Sequence, residues 1–328
     1  MADIITLGEL LIDLTQKGSD ENGCGRFVAY PGGAPANAAV AASRLGAKAA
    51  FIGKVGDDAF GHGLADTLAK EGVDTRGLFY SSEIPTTLAI VSVDETGERS
   101  FSFYRKPGAD IMLTPEEALK GLDDQFLNAE TGYPVPSADK PLLLHVGSLS
   151  LTDSPGKEAC IAALESAKER GMLISYDPNY REALWDSEEH AIEEMKSLMP
   201  YADILKVSDE ELIMLSGTDD LEEGSLILSG LGEGVSLVMV TLGGDGVFVR
   251  RGDETATVPG FSVEVADTNG AGDTFLGAIL KQIADRKGAL DMLWDELTEM
   301  VRYANKAASV TCSRSGAIPA MPTAEEVE

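Results

Sequence analysis

Short apolar runs recur along this chain at intervals that an amphipathic stretch fills, and this alternation constrains the fold more than any other feature. The runs are IITLGEL near the N-terminus, AAFIGKVG (49–56), LLLHVG (142–147), LISYD (173–177), ADILKVS (202–208) and SLVMVTLG (236–243). Between them, apolar residues return at helical spacing, which predicts helices over Pro35–Leu45, Asp58–Glu71, Pro155–Arg170, Glu188–Met199 and Asp209–Ser216. Two more are expected over Thr274–Asp285 and Tyr303–Cys312. Strands that alternate with helices in this way form a parallel sheet, because a parallel neighbour needs a crossover long enough to hold a helix.

Two regions break the pattern. Residues 16–30 are polar and carry glycines, and residues 84–105 read as two strands joined by an Asp-Glu-Thr-Gly turn with no helix between them. A hairpin inside a βα chain predicts a small β appendage. Its expected place is over the C-terminal edge of the sheet, where open α/β sheets bind ligands.

The formal net charge of −29 makes nucleic acid and anionic membrane poor partners, since both would be repelled. No apolar run approaches the ~18 residues that a membrane span needs. The N-terminal MADIITLGELLIDL lacks a basic leader and a small-residue cleavage site, so it reads as a first strand. Cys24, Cys160 and Cys312 stand far apart, which argues for reduced thiols in a cytoplasm and against a disulfide framework. The three histidines are not in HExxH spacing, so a catalytic zinc is not expected.

The segment DTNGAGDTFLGAIL (267–280) carries the chemistry. Gly270, Ala271 and Gly272 let the backbone turn its N–H groups toward one point, and the helix that follows adds positive potential. Asp273 stands beside that anion cradle. A carboxylate there can take the proton of an attacking hydroxyl while the amides stabilise a transferring phosphoryl group. A bare GAGD would equally serve as a helix cap in a turn. No GK[ST] follows, so the segment is not a Walker loop, and no GxGxxG follows the first strand, as a nicotinamide-dependent dehydrogenase would need.

The same segment resembles the second signature of the ribokinase-like (PfkB) carbohydrate kinases, and GGAPANAAVAASRLGAKAAFIGKVG (32–56) resembles the first. The similarity runs from GELLIDL to SGAIPAMP. It implies a single three-layer α/β/α sandwich over 1–328 with a mostly parallel central sheet, and a β lid formed by about 14–30 and 84–106. It also implies transfer of the ATP γ-phosphoryl to a primary sugar hydroxyl, with Asp273 as base and Gly270, Ala271 and Gly272 supplying the cradle. Asp13, Gly32, Gly33 and Asn37 are implied as sugar contacts. Phe103, Arg105 and Asn179 are expected on the substrate side, Arg105 facing either sugar or phosphate. Lys206, Ser208, Thr241, Gly243, Gly246 and Asn305 are implied for ATP, and Glu211 for Mg²⁺ through water. Asp267, Asn269 and Gly316 match where relatives hold a monovalent cation, K⁺. The run FSFYRKPGAD and the Ser208-x-x-Glu211 variant look most like fructokinases, with 2-keto-3-deoxygluconate kinases, or another sugar or nucleoside kinase of the same family, as the alternative. Lids in this family often pair between subunits, which raises a homodimer. A sugar sensor without turnover is the non-enzymatic rival, and an intact Asp273 speaks against it.

Overall fold

The computed structural model of the chain describes residues 2–93, 99–134, 136, 142–231 and 234–328. The predicted Asp-Glu-Thr-Gly turn lies outside the described residues. A nine-stranded sheet forms the centre. From one edge it runs β5 (Asp74–Ser81), β4 (Ala49–Gly56), β1 (Ile4–Leu7), β8 (Leu143–Gly147), β9 (Leu173–Asp177), β10 (Ile204–Ser208) and β11 (Leu237–Thr241), all parallel to their neighbours. β12 (Val247–Arg251) and β13 (Glu254–Val258) close the other edge antiparallel.

Successive side chains of these strands enter opposite cores. In β11, Val238 and Val240 pack with α3 (Pro115–Gln125), α4 (Gly156–Glu169), α5 (Glu188–Ser197), α6 (Asp209–Ser216) and α7 (Leu221–Ser229). Leu237 and Met239 pack with α8 (Ala271–Asp285) and α9 (Trp294–Cys312) on the other face. The second face also carries α1 (Ala34–Arg44) and α2 (Ala59–Lys70). The expected three-layer arrangement is therefore present. Five of the expected helices start within one residue of their expected position, and the last two start earlier. α9 starts at Trp294, not Tyr303, and α8 starts at Ala271, so that Asp273 sits inside its first turn.

The chain enters at β1, builds outward to β4 and β5, and then fills the opposite side from β8 onward. The order reverses beside β1, which is where open α/β sheets place the ligand crevice, outside the C-terminal strand ends. A second, four-stranded sheet rises at that end in the order β3 (Gly25–Gly32), β2 (Leu11–Ser19), β6 (Leu88–Val93), β7 (Arg99–Tyr104). The polar segment 16–30 is thus an antiparallel strand pair with an irregularity between Gln16 and Ser19. Tyr30, Asp13, Ala89 and Phe103 are paired in one row across this sheet, so their side chains share a face.

Candidate active site

Five strand ends and the start of α8 supply the site. Gly270 adopts a left-handed conformation (φ 77) and turns the chain into α8. The N–H of Thr274 is the first to find a helical acceptor, Gly270 O at 2.8 Å. The amides of Gly272 and Asp273 belong to the first turn, whose N–H groups have no intrahelical partner, so the expected anion cradle falls here. The local reason is composition: a Cβ at Gly270 would press on Ala317 at 3.0 Å, and Gly272 lies against a cation that a side chain would displace.

That cation is Lys206. Its Nζ would stand 3.2 Å from a Cβ at Gly272 and donates to Asp177 Oδ2 at 2.9 Å. Both side chains are nearly sealed from solvent, at 9% and 3% exposure. Burial alone would lower the lysine pKa, but Asp177 and Glu211 outweigh it, and Lys206 is held charged above its ordinary value. Breaking such a buried pair by removing one partner costs about 3–5 kcal/mol.

Asp273 is partly buried at the cradle. Its Oδ2 accepts from Asn37 Nδ2 at 2.8 Å, so the first turn of α1 holds the carboxylate from across the site. Burial raises its pKa to about 6; the Asn37 bond and the charges of Lys206 and Arg181 oppose that rise, while Asp177 adds to it. Asp13 is likewise raised to about 6 by burial, with Arg181 opposing and Asp273 and Asp267 reinforcing. Burial thus raises both carboxylates, and the charge of Asp273 adds to the rise of Asp13. Gly32 lies under Asp13, where a Cβ would collide with its Oδ2. Gly33 takes φ 110 and packs on the carbonyl of Glu9.

A cleft of about 670 Å³ opens from the cradle toward the β11–β12 turn. Thr241, Gly243, Gly246 and Asn305 line it, as do Gly272 and Ala271. Gly246 (φ 104) has no room for a side chain, because a Cβ would strike Val258 O. Asn305 Nδ2 donates to Val258 O (3.0 Å) and Pro259 O (3.1 Å) and fixes the following loop. That loop brings Phe261, Val263 and Val265 to the cleft at 38%, 36% and 60% exposure. Their role was not legible in sequence. The only signal is an apolar residue at every second place in a segment too glycine- and proline-bounded to pair as a strand.

The remaining expected residues fall into two groups. Asp267 Oδ1 accepts from Asn269 N (3.1 Å) and its Oδ2 from Gly316 N (3.2 Å), so these three meet beside the cradle. Asn179 (φ 48) donates its N–H to Asp177 Oδ1 at 3.1 Å and shapes the turn that presents Arg181, an exposed cation close enough to act on Asp13 and Asp273. Ser208 and Glu211 form a capping box on α6: Ser208 Oγ accepts from Glu211 N (3.1 Å), and Glu211 Oε2 accepts from Ser208 N (2.8 Å). Glu211 Oε1 accepts from Tyr180 N at 2.7 Å. Burial first, and then Asp177, raise the Glu211 pKa.

Arg105 departs from its expected place as a ligand contact. Its Nε donates to Asp110 Oδ2 (2.7 Å), one terminal nitrogen to Thr152 Oγ1 (2.7 Å) and the other to Leu149 O (2.8 Å). The side chain is 4% exposed, buried at the root of the small sheet. A guanidinium engaged on three sides by protein is an anchor, and the strand pattern around it gave no sign of partners 44 and 47 residues away. Phe103 is half-buried in the row that contains Asp13.

Comparison with known proteins gives the family. Residues 1–324 match the family model described as pfkB family carbohydrate kinase. The chain is 42% identical over 322 residues to probable fructokinase-2 of Arabidopsis thaliana, which covers 98% of this chain and 93% of that protein. Among solved structures it is similar to the fructokinase of Xylella fastidiosa with bound ATP, with a TM-score of 0.85, 32% identity and coverage of 100% and 97%. It is similar also to a double mutant of the Vibrio cholerae fructokinase holding fructose, ADP and a potassium ion, with a TM-score of 0.83, 33% identity and coverage of 100% and 97%.

Proposed function

The chain belongs to the pfkB family of carbohydrate kinases and is an ATP-dependent sugar phosphotransferase, and from that premise we propose that its acceptor is fructose, phosphorylated at the 6-hydroxyl. The observation that carries the reading is the contact between Asn37 and Asp273, which joins the sugar-side helix to the carboxylate at the cradle. Asn37 occupies Asp273 Oδ2, so the acceptor hydroxyl approaches the other carboxylate oxygen, with Asp13 and the Gly32–Gly33 backbone on the remaining sugar hydroxyls. Asp273 takes the hydroxyl proton as the oxygen bonds to the γ-phosphorus, and the bond to the β,γ-bridging oxygen breaks to release ADP. The amides of Gly272 and Asp273 and the Lys206 ammonium stabilise charge on the transferring group. The nucleotide base lies in the cleft against Phe261 and Val263, with Thr241, Gly243, Gly246 and Asn305 around it. Ser208 acts through the turn that it caps.

The small sheet serves as a lid, in segments near 14–30 and 84–106, and places Phe103 over the sugar. Closing it excludes water, which would otherwise compete as acceptor. The fructokinase relatives favour a neutral sugar over a keto acid, whose carboxylate needs cations: Arg105 is already engaged with Asp110, which leaves Arg181 as the cation that a keto acid would use.

No group of three or more metal-ligating side chains exists among the described residues. Both oxygens of Glu211 and both of Asp177 already accept from protein donors. Such a donor set fits an ion carried in by the phosphates and held through water by Glu211, the habit of Mg²⁺. Held through water by Glu211, Mg²⁺ would supply positive charge against the phosphates. Asp267, Asn269 and Gly316 offer an oxygen-lined loop suited to K⁺, and a potassium ion is present in the Vibrio relative. The edge strand β3 exposes Phe27 and Val28, which supports a lid-to-lid homodimer. Cys24, Cys160 and Cys312 are unpaired, which supports a cytoplasmic location. No helix among the described residues is long and apolar enough to cross a membrane.

The test is product analysis. Incubation with fructose, ATP and Mg²⁺ should give one ADP per fructose, with the new phosphorus resonance coupled to the C6 protons. Coupling to protons of another carbon, or ADP release without a sugar phosphate, would refute the reading.

A further inference from the structure

α1 follows Gly33, which has no side chain to cap it. The cap comes from another element. Glu9, just beyond the end of β1, accepts the N–H of Ala34 on its Oε1 at 2.7 Å. Its residue is 3% exposed, and its Oε2 is buried with no hydrogen-bond partner. The charged groups that face this carboxylate are Arg105 and Asp110, themselves an ion pair of 2.7 Å. A buried carboxylate with one oxygen unpaired lowers stability, so its presence calls for a role that a hydrophobic residue of similar size would not fill.

The turn that Glu9 caps is the one that matters for the reaction. Asn37 N donates to Gly33 O at 2.8 Å, so Gly33, Ala34 and Asn37 form one closed turn. Gly33 also packs directly on the carbonyl of Glu9, where a Cβ would collide. From the far side of the same turn, Asn37 Nδ2 reaches Asp273 Oδ2. We propose that Glu9 is a positioning residue for phosphoryl transfer: by capping α1 at Ala34 it fixes the first turn, and with it the Asn37 amide that holds the Asp273 carboxylate. This inference rests on Asp273 being the base of the proposed reaction.

The test uses the full-length protein and any sugar that it phosphorylates. Glu9→Ala frees the turn, and kcat should fall about 10- to 100-fold, the size expected when a reacting group is misplaced by up to about 1 Å. KM for ATP should stay within about twofold, since the nucleotide cleft is on other elements. The acid limb of the kcat profile should also move to higher pH, because a loosened Asn37 no longer favours the ionised form of Asp273. A purely structural loss would reduce the active fraction and leave that limb in place. Glu9→Gln keeps an acceptor for Ala34 and should retain kcat within about threefold. In an Asn37→Ala background, Glu9→Ala should add little. An unmoved acid limb, fully multiplicative losses in the double variant, or a Glu9→Gln protein as impaired as Glu9→Ala would each overturn the inference. Should Glu9→Ala fail to fold, the double-variant comparison is made with Glu9→Gln and Glu9→Leu. If Asp273→Asn retains full kcat, the base reading itself has failed, which is a distinct result.

Discussion

The two ends of the site are built on opposite physical plans. At the transfer end, Asp13, Asn37, Asp177, Lys206, Glu211 and Asp273 form a partly sealed network in which both oxygens of Asp177, both of Glu211 and one of Asp273 have protein donors. At the nucleotide end, the cleft is open and apolar, with Phe261, Val263 and Val265 partly exposed and glycines where the backbone comes close. The first plan fixes charge so that it need not reorganise during reaction. The second binds a flat, uncharged base that must also leave as ADP. Substitutions at the transfer end should therefore act on kcat, and substitutions in the cleft on KM for ATP.

The largest effect expected from this contrast is at Asp273. Asp273→Asn keeps the hydrogen-bonding shape but removes the base, and kcat should drop about 10²- to 10⁴-fold. Binding of ATP and sugar, measured by calorimetry, should persist. A variant with most of its kcat would show that the transfer end does not work through a base here.

Next is Gly272→Ala. The added methyl would lie 3.2 Å from Lys206 Nζ and beside the cradle amides. We expect kcat to fall about 10- to 100-fold with little change in melting temperature, since misplacement of about 1 Å has that scale. An unchanged kcat would mean that Lys206 does not reach the transferred group.

Acid should reveal the same network. Asp273 is raised to about 6, and the base must be ionised, so kcat/KM should fall as pH drops through about 6. Between pH 7 and pH 5 the loss should be about tenfold for one controlling group. A pH-independent rate down to pH 4.5 would contradict the raised carboxylate. In the cleft the scale is smaller. Phe261→Ala removes one aromatic surface, worth about 0.5–1.5 kcal/mol, so KM for ATP should rise about two- to tenfold with kcat unchanged. A large kcat effect from Phe261→Ala would erase the distinction between the two ends.

What sequence could reveal follows a similar division. The Gly270–Asp273 cradle was legible because it is local: small residues, then a carboxylate, then a helix. The parallel sheet was legible because β4 and β9 are short apolar runs with helices between them. The partners of buried charges were not legible. Lys206 meets Asp177 only because β9 and β10 are neighbours, and Asn37 meets Asp273 across 236 residues. Arg105 reads as an exposed strand-end cation until Asp110, Thr152 and Leu149 surround it. No element is expected over 113–141, although Thr114-Pro115-Glu116-Glu117 carries the capping box that starts α3. Its weakly apolar face hides the helix, which is placed by burial of Ala118 and Leu122 against the sheet.

The substrate is the point on which all of this converges, and one measurement bears on it most directly. The kcat/KM values for fructose and for 2-keto-3-deoxygluconate should be compared in the wild type and in Arg105→Met. With Arg105 buried as an anchor and Asp13 left to pair sugar hydroxyls, the wild type should clearly prefer fructose, and Arg105→Met should weaken both substrates alike. A wild type that prefers the keto acid, with that preference destroyed by Arg105→Met, would contradict the account.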